Sequence, residues 1–259
     1  MKTPLPATIC FRVTRYCNAR CGFCLAPPDG AHPGAQTLLQ RIDWLLERGV
    51  ASIHFCGGEP TIHPALPELL AYVRSRGKKS RLTTNGIALS DELFLELQRS
   101  RTQVKVSLHG DREHHDAMVG REAFGAATDN LRRLVAARVS TSVQTTVVRG
   151  GEWVLDRMAG FCIRERVKRL SILPFIPRGS GLAQQHEYGL TSAERGALRD
   201  LVCRKRRELS GRLDLRWLDF TARPFHVVEA DGRLLLEGAT EALDEFLERI
   251  EPRAQPSGA

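Results

Sequence analysis

Cys17, Cys21 and Cys24 lie within eight residues at a CxxxCxxC spacing. Thiolates packed this closely suit an iron–sulfur cluster or zinc, since soft sulfur ligands favour both. A structural zinc would want a fourth ligand, and the nearest candidates, His32 and Cys56, carry no finger-like spacing. Three cysteines buried by coincidence is the competing explanation, but Arg20 and Gly22 are poor company for a core thiol. Seven cysteines, an odd number with three crowded together, do not make the disulfide framework of a secreted domain. The expected chemistry is a four-iron cluster held at three corners, its remaining iron left to bind a substrate or cofactor.

Such a loop must be positioned, and it directly follows a strand-like run at Thr8–Thr14. Its thiols then sit at a strand's carboxyl end, where α/β folds place their chemistry. Further strands are predicted at Ser52–Cys56, Ser80–Thr84, Val104–His109, Thr141–Val148 and Leu170–Ile176. Amphipathic segments alternate with them. Leu38 to Leu46 stops at Gly49, Leu66 to Val73 stops at Gly77, and Ser90 caps a helix carrying Leu93, Phe94 and Leu97. Two more run from Phe124 to Val135 and from Trp153 to Phe161. This pattern predicts an α/β fold, a partial (βα)6 barrel of parallel strands over residues 1–212.

A glycine-rich loop, Arg178–Gly181, follows the sixth strand, and a capping box at Thr191 and Glu194 opens a helix ending in Arg204–Arg207. Residues 213–259 are expected to form a small strand-hairpin-helix extension. Its strands are Leu213–Phe220 and His226–Glu229, its turn is Ala230–Arg233, and its last helix is lined by Leu243, Phe246, Leu247 and Ile250. The end is expected to fray from Pro252. The hairpin reads as a lid over the barrel's bottom or open side.

Composition sets outer limits. With 42% hydrophobic and 26% charged residues in 259, the chain is globular and is not disordered, collagenous or membrane-embedded. A net charge of +8 biases it toward anions. Met1 to Ala7 shows no secretory or membrane-spanning pattern, so a cytoplasmic location is expected.

CxxxCxxC with Phe23 before the last cysteine resembles the radical S-adenosylmethionine (radical SAM) superfamily. Gly57-Gly58-Glu59-Pro60, Thr83-Thr84-Asn85-Gly86 and Val106-Ser107-Leu108-His109-Gly110 agree with it, each ending the next predicted strand in order. The match covers about residues 8–177. The resemblance implies that Cys17, Cys21 and Cys24 hold a 4Fe-4S cluster whose open iron chelates the methionine moiety of SAM. It implies that the main chain at Gly57 and Gly58, with Glu59 and Pro60, receives the amino group, glycine permitting close approach. Phe23 would sit by the adenine and Pro174 flank it, while Asn85, Ser107 and Gln144 would contact ribose or carboxylate. One-electron reduction, from a donor such as flavodoxin or ferredoxin, would release a 5′-deoxyadenosyl radical that abstracts hydrogen from a substrate. The tail from Leu213 to Ile250 lacks the cysteines that hold extra clusters in larger peptide-modifying relatives.

Strand alternation, with the more apolar set turned toward the helices, leaves Arg12, His54, Lys105 and His109 facing the lumen. These four are the expected substrate residues, with no lumen carboxylate but Glu59 competing. The alternative is that such bases pair with acids from the last helix or the tail. Cys56 is expected as a packed thiol, and Cys10, Cys162 and Cys203 as small core residues. His114 and His115 are expected to face either solvent or the active-site mouth, with solvent favoured. The basic runs Arg164–Arg169 and Arg204–Arg207 read as solvated helix faces, and no nucleic-acid partner is expected. The expected activity is hydrogen abstraction from a polar or anionic small molecule or nucleotide. A peptide-modifying enzyme of the same superfamily and a non-catalytic iron–sulfur module are the alternatives.

Overall fold

A computed structural model of the chain describes residues 5–26 and 30–251; the expected fray from Pro252 lies outside the described residues. The first half alternates β1 (Thr8–Arg12), α1 (Ala35–Glu47), β2 (Ser52–Cys56), α2 (Leu66–Ser75), β3 (Lys79–Thr84), α3 (Asp91–Arg99) and β4 (Gln103–Ser107). Helices α4 (Arg112–Val119) and α5 (Phe124–Ala136) lead to β5 (Thr141–Val147), α6 (Trp153–Arg164) and β6 (Arg169–Pro174). Then come α7 (Ser180–Ala183), α8 (Gln185–Tyr188), α9 (Ser192–Glu208) and four strands, β7 (Asp214–Trp217), β8 (Phe225–Val228), β9 (Arg233–Glu237) and β10 (Glu245–Arg249).

All ten strands among the described residues join one sheet in the order β10-β9-β8-β1-β2-β3-β4-β5-β6-β7. Neighbours from β1 to β7 pair in parallel, β8 adds in parallel to β1, and β9 and β10 turn back antiparallel. The tail therefore extends both edges of the barrel sheet, β7 at one side and the hairpin at the other, and the sheet runs across Arg212.

The apolar set of each strand packs under the helices. Ile9, Phe11, Ile53, Phe55, Leu82 and Val106 are fully buried with Leu38, Ile42 and Leu69. Phe11 and Phe55 meet edge to face at 6.1 Å. Ser90 Oγ accepts from the Leu93 amide, and Thr191 with Glu194 closes its capping box. With one face committed to this core, the other set must line the lumen.

The expected last helix is absent. Its residues form a short 3₁₀ turn, Glu241–Leu243, and then β10, paired with β9. The spacing of Leu243, Phe246, Leu247 and Ile250 fits a helix, but β9 offers a row of open backbone groups over Leu234–Leu236, and pairing satisfies them. Leu243 and Phe246 are left exposed in consequence. Among the described residues, no helix is long and apolar enough to cross a membrane.

Candidate active site

The cysteine loop leaves the carboxyl end of β1. It is pinned on both sides: the Arg20 amide donates to Val119 O at 2.9 Å and the Ser180 amide to Cys24 O at 2.9 Å. Within it, the Cys24 amide donates to Cys21 O at 3.2 Å. Cys17, Cys21 and Cys24 are half-buried and unbridged, and Cys17 and Cys21 lie on an apolar pad of Ala19, Val119 and Ala123. Burial pushes all three thiols up, and the negative charge of neighbouring thiolates adds to it at Cys17 and Cys21, driving Cys21 to about 12. Among the described residues no three His, Cys, Asp or Glu side chains converge on one ion position, as a zinc bound at about 2.3 Å from each sulfur would require. Three sulfur donors on one loop, with Cys21 in the field of both others, fit a polynuclear cluster better than a single ion.

Behind the loop lies the Gly57–Pro60 turn. A Cβ on Gly57 would stand 2.3 Å from Thr14 O, and one on Gly58 2.1 Å from Tyr16 O. The amides of Gly58 and Glu59 donate to those same carbonyls, both at 2.8 Å. The glycines are thus required because the turn lies against the chain leading from β1 to the cysteines, a different close approach from the one expected. Pro60 opens a 3₁₀ turn capped by Glu59.

Glu59 is 1% exposed and, among the described residues, is bonded only by neutral donors. Its Oε1 accepts from the Thr61 amide (3.0 Å), Thr61 Oγ1 (2.7 Å) and Thr84 Oγ1 (2.7 Å), and its Oε2 from the Asn85 amide (2.7 Å). Burial raises its pKa and these donors oppose the rise. Asn85 Nδ2 then donates to Asn18 Oδ1 at 2.7 Å. The second-strand turn, the third-strand turn and the cysteine loop are therefore one hydrogen-bonded frame. Asn18, Thr61 and Thr84 were missed from sequence, though Asn18 sits inside the cysteine motif itself.

Phe23 packs against Met118, Val148 and Phe175 and meets the His109 ring edge-on at 4.7 Å. His109 is 1% exposed. Its Nδ1 accepts from the Thr146 amide at 3.1 Å, which assigns the ring hydrogen to Nε2. His115 is buried as well, contrary to the expected solvent position; it stacks on His109 and its Nδ1 accepts from the His109 amide at 3.2 Å. Burial drives His109 well below the usual histidine range and His115 to about 4. Because the folded pKa of His115 lies below its unfolded value, its stabilising contribution is complete above about pH 6.5 and lost as pH falls toward 4. His115→Asn, which keeps an acceptor near Nδ1, is expected to flatten the fall in melting temperature between pH 6.5 and 4, as scanning calorimetry would record; an unchanged slope would contradict this.

Ser107 and Gln144 are register partners on β4 and β5, half-buried and facing the lumen, and Pro174 ends β6, buried. Deeper in the lumen one expectation fails. Carboxylates other than Glu59 do compete: Glu229, just after β8, and Glu237, on β9, are 6% and 2% exposed. Arg12 grips Glu237 through two bonds of 2.7 and 2.9 Å and also bonds Glu229. Arg178 bonds Glu237 and, at 2.8 and 2.6 Å, Asp244. His54 is bonded to Thr83 Oγ1 at 2.8 Å and lies 3.8 Å from Cys10 Sγ. Lys105 is half-buried, its pKa lowered by burial and by Arg81, Arg169 and Arg216. Arg12, His54, Lys105 and His109 thus do not merge into one cationic wall. Among the other thiols, Cys162 is buried in the core, Cys10 is half-buried in the lumen, and Cys203 is exposed on the outer face of α9, a correction to its expected core place.

The radical SAM superfamily model matches residues 11–153. The chain is 28% identical over 207 residues to Fe-coproporphyrin III synthase of Methanosarcina barkeri, covering 78% of this chain and 52% of that protein. It is 27% identical over 212 residues to the PqqA peptide cyclase of Streptomyces rochei, covering 80% and 58%. The fold is similar to that of Streptococcus suis SuiB, solved bound to its precursor peptide SuiA, with a TM-score of 0.79 at 16% identity over 91% of this chain and 60% of that one. The chain therefore spans between about half and three-fifths of the lengths of these relatives.

Proposed function

The chain belongs to the radical SAM superfamily, enzymes that work with a 4Fe-4S cluster and S-adenosylmethionine, and from that premise we propose that it abstracts a hydrogen atom from a peptide substrate. The observation carrying the reading is the frame in which the three-thiol loop is tied through Asn18 and Asn85 to Glu59. When bound, cluster and cofactor supply a 5′-deoxyadenosyl radical as the hydrogen acceptor. Cys17, Cys21 and Cys24 would hold the cluster. Glu59 keeps lone pairs free on Oε2, which accepts a single bond, so it can take the cofactor's amino group together with the carbonyls of Gly57 and Gly58. Phe23 and Pro174 would flank the adenine, and Asn85, Ser107 and Gln144 would orient ribose and carboxylate. His109, neutral with its hydrogen on Nε2, helps keep this end dry. The electron comes from a low-potential donor such as flavodoxin or ferredoxin, in the reducing cytoplasm that suits unbridged cysteines.

The peptide reading rests on the lumen. With Arg12 neutralised by Glu229 and Glu237, the inward groups are chiefly hydroxyls and amides, Thr83, Ser107, Gln144 and Thr146, which suit a backbone rich in donors and acceptors. The names of the PqqA peptide cyclase and of peptide-bound SuiB support it. A second reading, an anionic small molecule, is favoured by Lys105, a lumen cation with three further cations in its field, and by the relative acting in coproporphyrin synthesis. Anaerobic reconstitution with iron and sulfide, then reduction with SAM, is expected to yield 5′-deoxyadenosine. Deuterium should enter it from labelled peptides. Cluster without 5′-deoxyadenosine would sink the enzyme reading; label arriving only from carboxylated or phosphorylated small molecules would replace the peptide by the second reading.

A further inference from the structure

The two basic runs that look like separate solvated faces in the sequence meet at the amino-terminal end of the sheet, away from the cysteines. Lys168, just before β6, and Arg206, near the end of α9, line a groove of about 450 Å³ with Arg212, Ser210, Gly211 and the start of β7. Leu213 and Leu215 form its floor. The one carboxylate on the groove, Asp214, is already bonded by Arg169 at 2.8 Å and by Arg216 at 2.9 Å. Lys168, Arg206 and Arg212 meet no acid among the described residues, while Lys205 on the same helix is paired with Asp156 and Glu208. Cations at a helix's last turn complement its dipole, which accounts for Arg206. That does not account for Lys168 and Arg212, which come from other elements and face the same space.

We propose that this groove is a second binding site, for a small polyphosphorylated anion held by Lys168, Arg206 and Arg212 with the Ser210 hydroxyl. The volume falls in the range of small-ligand pockets, about 300–1,000 Å³. No aromatic ring lines it, so recognition rests on charge and phosphoryl hydrogen bonds rather than on stacking of a base. The site is independent of the cluster reading, and neither stands or falls with the other.

The test is calorimetric titration of the full-length protein with inorganic pyrophosphate at low salt, with citrate and a single-stranded RNA 20-mer as parallel arms. One pyrophosphate should bind per chain with a Kd below about 1 mM. Lys168→Gln/Arg206→Gln/Arg212→Gln should weaken it at least about tenfold, as expected for charge-assisted contacts. The unliganded melting temperature should not move, because the three side chains are exposed. Lys168→Gln alone should give an intermediate loss. Equal binding by wild type and triple variant would overturn the site. Equal affinity for citrate would overturn its phosphoryl character, and binding of the RNA alone, lost in the triple variant, would make it a nucleic-acid surface instead.

Discussion

Cys21→Ala is expected to leave a folded protein that stays nearly colourless after anaerobic reconstitution and forms at least about a thousandfold less 5′-deoxyadenosine than the wild type. The size of the effect follows from the donor count. The loop brings three sulfurs, so losing one would leave two thiolate ligands for a cubane that needs all three. No other thiol among the described residues can substitute: Cys56 faces the lumen beside Cys10, and Cys203 lies exposed on α9. Cys17→Ala and Cys24→Ala should match it. Cys203→Ala should retain full iron and sulfide, which separates loss of a ligand from a general effect of losing a thiol. The fold should survive, since the loop stays anchored through main-chain bonds at Arg20, Cys24 and Ser180 that the substitution does not touch. Iron and sulfide analysis beside product chromatography measures both quantities; a Cys21→Ala protein with wild-type iron would remove the basis for the cluster.

What could be read ahead of the structure was whatever is local. The strand ending at Cys56 and the Ser90 and Thr191 caps each depend on residues within a few positions, and each stands where it was expected. Alternation also placed Arg12, His54, Lys105 and Ser107 on the lumen face, because β1, β2 and β4 must turn Phe11, Phe55 and Val106 to the helices. What those inward residues touch was not legible. Arg12 and Glu237 are 225 positions apart, and no local pattern in either strand names the other. The Asn18–Asn85 bond has the same character, spanning 67 positions between two motifs that are each recognisable alone. The 243–250 segment failed for a related reason. Its apolar spacing suits a helix, and only the bare edge of β9, fixed by pairing with β8 and thence with β1, makes it a strand.

Arg12→Met is expected to cost about 3–5 kcal/mol, the range for breaking a buried ion network by removing one partner. Arg12 is 7% exposed and joins β1 to β8 and β9 through Glu229 and Glu237. Burial alone would weaken its charge, and the two carboxylates reverse that, holding the guanidinium firmly protonated. Without it, two carboxylates at 6% and 2% exposure are left with Arg15 at 3.6 Å from Glu229 and Arg178 at 3.3 Å from Glu237, the latter already committed to Asp244. For a chain of this length that loss corresponds to a fall of roughly 10 °C in melting temperature. Adding Glu229→Gln and Glu237→Gln should recover most of it, since the penalty lies in uncompensated charge and not in the volume of the side chains. Lys105→Met provides the contrast: a lumen cation with no carboxylate partner among the described residues, whose charge burial already disfavours, should be neutral or slightly stabilising. Thermal unfolding of the four proteins at pH 7 decides between a clamp and a substrate ligand. If Arg12 were kept for a substrate, its loss would leave the melting temperature unmoved, and the Gln pair would make matters worse rather than better.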